Sequence, residues 1–212
     1  MNLEGLTRYF TEWNTVLVVI GLCSFVSMAI FLERLFFLHK AEVDVHGLVI
    51  HLRQALRAQN LMEAIRICEE RGGAVSNIVR AGLMKHERTK EEIEHAMEVT
   101  GLAEMARLEK HAPILSVIAH IAPLIGLLGT VIGFIQAFSE MRVSGLMDIS
   151  TTRVGEAMEY ALVTTAAGLV VAIPTVVAYN YLAGRIQAIA LDMQLTASEV
   201  VDLLTHRGDD AF

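Results

Sequence analysis

Cysteine, proline and aromatic residues are scarce in this sequence. Its 212 residues include two cysteines and three prolines, and aromatic residues make up 6%. Cys23 and Cys68 have neither the spacing of metal ligands nor the number that a disulfide framework needs, so we expect two free thiols. So few prolines and aromatic residues also argue against low-complexity and collagen-like segments.

Charged residues are scarce as well, at 19%, and the formal net charge is −7. Surfaces that bind nucleic acid are basic, so this balance excludes nucleic acid as a partner. Hydrophobic residues, in contrast, make up 54% of the chain, and the mean hydropathy is +0.49. Because the charges lie outside three apolar segments, we predict an all-α, polytopic membrane protein in contact with a lipid bilayer.

The three apolar segments are predicted to be transmembrane helices at 15–38, 113–139 and 158–182. The first has 24 residues, enough to cross a hydrocarbon core about 30 Å thick at about 1.5 Å per residue. It is too long for the apolar region of a signal peptide, and no small-residue cleavage site follows it. We therefore expect it to remain as an anchor.

Basic residues indicate how these spans are oriented. Eleven of the 17 lysines and arginines lie in residues 39–112, and cytoplasmic segments are enriched in basic residues. We therefore expect a cytoplasmic helical domain at 39–112 and a cytoplasmic helix and tail at 183–212. The short N-terminus, residues 1–14, and the loop at 140–157 are expected on the opposite side of the membrane.

Local signals predict that the cytoplasmic domain is helical throughout. Asn60 followed by Glu63, and Thr89 followed by Glu92, have the pattern of a helix N-cap with its capping-box partner. The Gly-Gly pair at 72–73 is predicted to end the helix that Asn60 begins. A further helix, from about residue 74 to residue 86, is predicted to bury four apolar side chains: Val75, Ile78, Val79 and Leu83.

Two transmembrane helices are predicted to extend far into the cytoplasm. The helix that follows Thr89 shows no strong stop signal before the membrane, and a proline such as Pro113 can kink a helix without ending it. We therefore expect it to continue to Phe138. The third span also continues, with a mild interruption at 196–197, and its apolar stripe is expected to pack on the cytoplasmic helices or on a neighbouring subunit.

Small residues recur at helical spacing in the second and third spans. Small side chains on a membrane helix let another helix approach closely. We therefore expect these helices to surround another structure inside the membrane, with threonine hydroxyls facing it. The residues predicted to pack against a partner helix are Gly126, Gly129, Gly133, Ala161, Gly168 and Ala172, and the threonines on the same two stripes are Thr130, Thr165 and Thr175.

Three segments of the chain resemble a known family. APLIGLLGTVIGFIQAF at 122–138, followed by EYALVTTAAGLVVAIPTVVAYNYLAGR at 159–185, is similar to the paired signature of the MotA/TolQ/ExbB proton-channel family. ERLFFLHK at 33–40 is similar to the end of that family's first span. The resemblance covers nearly the whole chain, and three spans with a short outer N-terminus resemble the TolQ/ExbB branch.

The resemblance implies a motor in a bacterial inner membrane, with a periplasmic N-terminus and a cytoplasmic C-terminus. It implies a homopentameric ring around two copies of a single-span protein of the ExbD/TolR/MotB type, which has a transmembrane aspartate. A TonB- or TolA-like protein is a further partner. Proton flow would drive rotation or movement of the partner and power outer-membrane transport or envelope processes. The resemblance alone implies that the coupling ion is the proton rather than the sodium ion. It also implies that the protein uses no cofactor and catalyses no enzymatic reaction.

Thr130 and Thr165 match the two pore-facing threonines of that family. A hydroxyl can donate to a carboxylate and accept from a carboxylic acid, so it suits both protonation states of a partner carboxyl group. The alternative is that these hydroxyls bond to the backbone of their own helix. Thr164 points about 100° away from Thr165 on a helix, which predicts a structural or inter-subunit contact.

Tyr160 departs from the family pattern, because relatives in the TolQ/ExbB branch often have glutamate at that position. Glu159 is one residue out of register, whereas Glu156 lies one turn before Tyr160 and is expected to share its face. Either glutamate is a candidate for the proton entrance, since an ionisable residue in a span is a functional hypothesis. His120, near the inner end of the second span, is a candidate for proton exit or a hydrogen-bonded histidine in a vestibule.

Several other functions remain as alternatives. Within the family, the chain is also compatible with a motility stator, of gliding or flagellar type. Outside it, a non-conducting membrane scaffold would need the same close helix packing. A small-solute carrier fits less well, because the sequence has no inverted repeats or buried charge pairs. We find no metal site, phosphate-binding loop or nucleophile–base motif in the sequence.

Overall fold

The computed structural model describes residues 15–41, 45–58, 60–144 and 151–209. No β-strand occurs in these segments, which confirms the predicted all-α fold class. The helices in chain order are α1 (Thr15–Ala41), α2 (Val45–Arg57), α3 (Leu61–Arg71), α4 (Gly73–Leu83), α5 (Lys90–Glu109), α6 (Ala112–Ser144) and α7 (Thr151–Asp209).

Three of these helices are long and apolar enough to cross a membrane, as predicted. The candidate spans are Thr15–Leu38 in α1, Ala112–Ser139 in α6 and Val154–Thr205 in α7. Helix occupies both ends of the segment predicted as a loop at 140–157, since α6 reaches Ser144 and α7 begins at Thr151. Residues 145–150, in the middle of that loop, lie outside the described residues, as do residues 1–14.

The chain divides into two compact units. The first consists of Met1–Glu33 and His111–Asn180, and the second of Arg34–Lys110 and Tyr181–Phe212. In the first unit, the described parts of α1, α6 and α7 are apolar helices. In the second unit, α2, α3, α4 and α5 pack consecutively along the chain.

The helix caps and buried positions predicted from local sequence signals are present in the second unit. The Oδ1 atom of Asn60 accepts a hydrogen bond from the amide of Glu63 at 3.1 Å, and Thr89 Oγ1 accepts one from the amide of Glu92 at 3.4 Å. Gly72, with φ of +63°, ends α3. The side chains predicted to be buried by the next helix are buried in α4: Val75, Ile78, Val79 and Leu83.

The expectation of one continuous helix from Thr89 to Phe138 is wrong. Helix α5 ends at Glu109, and α6 begins at Ala112. Between them, His111 has φ of +67°, in the left-handed region. In a continuous helix, Pro113 would lack the amide that bonds to the carbonyl of Glu109, and its ring would clash with that carbonyl. At the start of α6 the missing amide costs nothing, because the first turn of a helix has no internal acceptor for it.

Helix α7, in contrast, is unbroken across residues 196–197. In the second unit, its apolar stripe buries Ile186, Met193 and Val200. It lies against α2 of the same chain, where Arg53 and Glu199 form an ion pair. This part of α7 therefore contacts the helices of the second unit within one chain, and the cytoplasmic location of that unit stays a prediction.

Cys68 lies in the core of the second unit. Both cysteines are free, and the side chain of Cys68 is 2% exposed. Burial disfavours the charged thiolate and raises the pKa of the Cys68 thiol to about 11. The sulfur is therefore a packing group that is neutral and unreactive at physiological pH.

In a Cys23→Ser background, we expect alkylation of Cys68 at pH 8 to be at least about 100-fold slower than that of an exposed thiol. A pKa of about 11 leaves about 0.1% of the thiol ionised at pH 8, against about 25% for an ordinary thiol. The rate, followed by mass spectrometry, should rise as the pH approaches 11 and should rise sharply on unfolding. Met84→Cys, at a side chain 69% exposed, is the matched control. Equal rates at the two positions at pH 8 would contradict the buried environment.

Candidate functional site

Helices α6 and α7 pack on each other through glycines in the first unit. A Cβ atom added to Gly168 would lie 2.6 Å from the carbonyl oxygen of Ala122 and 3.2 Å from the Cα of Gly126. A Cβ atom added to Gly133 would lie 2.8 Å from the Cβ of Ala161. The distances of 2.6 and 2.8 Å are shorter than real Cβ atoms show, so glycine at these positions permits the two backbones to come this close.

Thr164 fills the space that Gly129 leaves. Its side chain is fully buried, and a Cβ atom added to Gly129 would overlap it. Its hydroxyl donates a hydrogen bond to the carbonyl of Ala161 in its own helix at 2.8 Å. The structural contact predicted for Thr164 is therefore confirmed, and the contact lies within one chain.

The side chain of Thr165 and the backbone amide of Thr130 share the carbonyl of Gly126. Thr165 Oγ1 donates a hydrogen bond to that oxygen across the helix pair at 3.0 Å. Thr130 lies one turn further along α6, where the helical pattern directs its amide to the same oxygen. Its own hydroxyl donates to the carbonyl of Leu127 at 2.6 Å. Both side chains are partly exposed, so a ligand beside the helix pair could reach them.

These contacts assign each threonine hydroxyl to a backbone carbonyl. For Thr130, the bond to its own helix is the alternative that the sequence left open. For Thr165, the acceptor belongs to the other helix. The carbonyl of Gly126 is the part of this site that sequence reasoning missed. The only signal for it is that Gly126 and Thr165 lie on the two small-residue stripes.

The small-residue stripes have a packing partner within the chain. Five of the six residues predicted to pack against a partner helix lie where α6 and α7 meet: Gly126, Gly129, Gly133, Ala161 and Gly168. The sixth, Ala172, is buried. Packing of a partner protein's helix on these residues stays a prediction.

The glutamates near the start of α7 lie on its exposed side. Tyr160 is buried, whereas Glu159 is exposed, as their difference in register predicts. Glu156 is exposed too, although it lies one helical turn before the buried Tyr160 and therefore on nearly the same side of α7. The buried stripe passes through Ala157 instead, because a carboxylate buried among apolar side chains is costly unless it is paired.

His120 lies on the exposed surface of α6, one turn after Ser116. Its Nδ1 atom is 2.6 Å from the carbonyl oxygen of Ser116. A carbonyl only accepts, so Nδ1 carries the proton in this contact and Nε2 faces away from it. The histidine is thus hydrogen-bonded to its own helix, and its roles in proton exit or in a vestibule both stay predictions. Across the described segments, no group of three or more His, Cys, Asp or Glu side chains could hold a metal ion.

The sequence of this chain is similar to those of a known protein family. Residues 71–195 match the model of the MotA/TolQ/ExbB proton channel family. The chain is 28% identical over 194 residues to a biopolymer transport protein ExbB homolog of Methanothermobacter thermautotrophicus, covering 91% of this chain and 65% of the relative.

Two further relatives match the chain over shorter stretches. Identity to the Tol-Pal system protein TolQ of Haemophilus influenzae is 39% over 112 residues, covering 53% of this chain and 48% of that protein. Identity to the biopolymer transport protein ExbB of Helicobacter pylori is 53% over 75 residues, covering 35% of this chain and 50% of that protein. The chain thus spans between 48% and 65% of the length of these three relatives.

Proposed function

Because this chain belongs to the MotA/TolQ/ExbB proton channel family, we propose that it is the ring subunit of a proton-driven motor in a bacterial inner membrane. Proton flow would be coupled to rotation or movement of a single-span partner protein. The motor would energise transport at the outer membrane or an envelope process. Its relatives are named as a Tol-Pal system protein and a biopolymer transport protein, which supports a role of this kind.

The observation that carries this proposal is the hydrogen bond that Thr165 donates across the helix pair to the carbonyl of Gly126, one turn before Thr130 in α6. The hydroxyls of Thr165 and Thr130 each bond to a backbone carbonyl of α6, and both side chains are partly exposed on apolar helices. A polar position in a membrane interior is expensive unless it serves a polar ligand or a hydrogen bond. A carboxyl group on a partner helix is a ligand that such a site fits.

Exposed apolar side chains support assembly into a ring. On α6, Leu124, Ile135 and Phe138 are each more than 60% exposed, and on α7 Leu162 and Val170 are about 70% exposed. Such faces need lipid or a neighbouring subunit to cover them. We propose five copies of this chain around two copies of the single-span partner, with the N-terminus in the periplasm and the C-terminus in the cytoplasm.

Native mass spectrometry of the complex, purified gently from its own membranes, tests this assembly. We expect five copies of the chain together with two copies of a small protein that has one transmembrane segment and an aspartate in it. The periplasmic domain of that protein would separate an outer-membrane transport role from a motility role. A monomer, or a ring without a single-span partner, would contradict the motor and favour a scaffold.

A further inference from the structure

His120 is the only acidic, basic or histidine side chain in the apolar stretches of the three spans. Residues 15–32, 113–139 and 160–180 contain no Asp, Glu, Lys or Arg and no second histidine. Ionisable residues are rare in membrane spans, and those that occur almost always face a water-filled cavity or the interior of a helix bundle. A single histidine at this place therefore indicates contact with water or with another chain.

The side chain of His120 lies on an exposed and otherwise apolar face of α6. Its neighbours one turn away on that face, Val117 and Leu124, are 53% and 62% exposed, and His120 is exposed as well. The glycines of α6 that pack on α7 lie on the opposite face. Because a polar group without a hydrogen bond is costly in hydrocarbon, this position favours an aqueous space beside His120 over lipid.

The imidazole ring of His120 is held so that one nitrogen can exchange a proton. Nδ1 lies 2.6 Å from the carbonyl oxygen of Ser116. A carbonyl only accepts, so Nδ1 keeps its proton in both the neutral and the cationic ring. Among the described residues, Nε2 has no hydrogen-bond partner. Histidine gains and loses a proton in the physiological pH range, and here the atom that does so is Nε2.

The other helices of the first unit place no charge beside His120. The apolar stretches of α1 and α7 contain no acidic, basic or histidine side chain. The next such side chain back along the chain is His111, whose Nδ1 lies 3.2 Å from Oε2 of Glu33 in α1. His120 is about 12 Å along α6 from Ala112 by the helical rise. A proton that leaves the middle of the span toward Ala112 therefore passes His120 before it reaches His111 and Glu33.

We propose that His120 relays the translocated proton through Nε2 at the cytoplasmic end of the proton path. The inference rests on the proposed function, which supplies the proton flow and the orientation of α6. The lone pair of Nε2 takes a proton from a hydronium ion inside the ring of subunits, which leaves water and an imidazolium. The Nε2–H bond then breaks, and the proton passes to water on the cytoplasmic side. Nδ1 stays bonded to Ser116 in both steps, so the imidazole need not rotate.

Proton flux into proteoliposomes of the complete complex, under an imposed membrane potential, tests the relay. We expect His120→Asn to lower the flux about 100-fold, at the lower end of what a positioned proton-transfer group contributes. The amide nitrogen of asparagine takes the place of Nδ1 and keeps a donor for the Ser116 carbonyl, but the side chain does not titrate. His95→Asn, at an exposed histidine of α5, is the matched control and should conduct normally.

Chemical rescue and the pH profile distinguish a relay from a structural role. Free imidazole should restore part of the flux in His120→Ala. Pyrazole, a ring of the same size that is protonated only in strong acid, should not. At a constant proton-motive force, wild-type flux should fall as the medium on the cytoplasmic side is acidified through about pH 8–5, because a protonated Nε2 cannot accept a proton. The residual flux of His120→Asn should lack this step.

Normal flux in His120→Asn beside normal wild-type flux would overturn the inference and leave the proposed function standing. Flux that is lost in His120→Ala and not restored by imidazole, in a complex that native mass spectrometry shows to be intact, would also overturn it. If the wild-type complex conducts no protons at any pH, the proposed function fails and the inference fails with it.

Discussion

Replacing Thr130 and Thr165 together by valine is expected to reduce proton flux through the complex about 100-fold, with assembly intact. Valine has nearly the shape of threonine but has no hydroxyl, so it removes the lone pairs without opening a cavity. Leaving a polar group without its partner in an apolar site costs about 1–3 kcal/mol. Two such losses cost about 2–6 kcal/mol, a range that includes the roughly 2.7 kcal/mol of a 100-fold change.

The measurement is acidification of proteoliposomes that contain the purified complex, under an imposed membrane potential. The carbonyls of Gly126 and Leu127 keep their helical amide donors when the hydroxyls are removed, so we expect the variant complex to be recovered in normal amounts. Thr175→Val removes a buried hydroxyl that bonds to Val171 and should conduct normally. Full flux in the double variant would mean that the threonines are structural. A complex with no flux even in the wild type would instead support the scaffold alternative.

Gly168→Ala is expected to separate α6 from α7. The added Cβ would lie 2.6 Å from the carbonyl oxygen of Ala122 and 3.2 Å from the Cα of Gly126. Both are backbone atoms, so no side chain can turn aside and the helices themselves must move. Overpacking of this kind costs about 1–3 kcal/mol, which lowers the melting temperature of a chain of this size by about 2–12 °C.

The matched control is Gly155→Ala in the same helix, where an added Cβ would meet nothing within 4 Å. Alanine favours a helix over glycine by about 1 kcal/mol, so this variant should be as stable as the wild type or slightly more stable. Melting of both variants in detergent, followed by circular dichroism, compares them directly. If Gly168→Ala melts like the wild type but no longer binds the partner, the glycine stripe serves the partner's helix and not α7.

Much of the fold could be predicted from the sequence because its signals are local. Each span is a long and mainly apolar run, and a helix is the structure that satisfies its own backbone in lipid. The N-caps at Asn60 and Thr89 depend on a side chain and an amide three residues apart. The break at His111 was missed, although Pro113 signals it, because a proline is equally compatible with a kinked helix.

Burial along α7 shows where local patterns stop being sufficient. Glu156 and Tyr160 are one turn apart, yet Tyr160 is buried and Glu156 is exposed. Helical periodicity predicts which residues lie on the same side of a helix. It does not predict where the buried face ends, because that boundary depends on the helix that packs there. That boundary passes between these two side chains.

The sequence by itself determined the family, the all-α class, three spans and the presence of threonines and glycines on two stripes. Only the tertiary structure decided what those residues contact. It paired the glycines of α6 and α7 with one another, buried Thr164 against Gly129, and directed the hydroxyl of Thr165 to the carbonyl of Gly126. The physical reason is that nothing in the sequence specifies which carbonyl a hydroxyl will bond to or which backbone a glycine will pack against. The partner is set by whichever backbone atom the packed helix brings within a few ångströms.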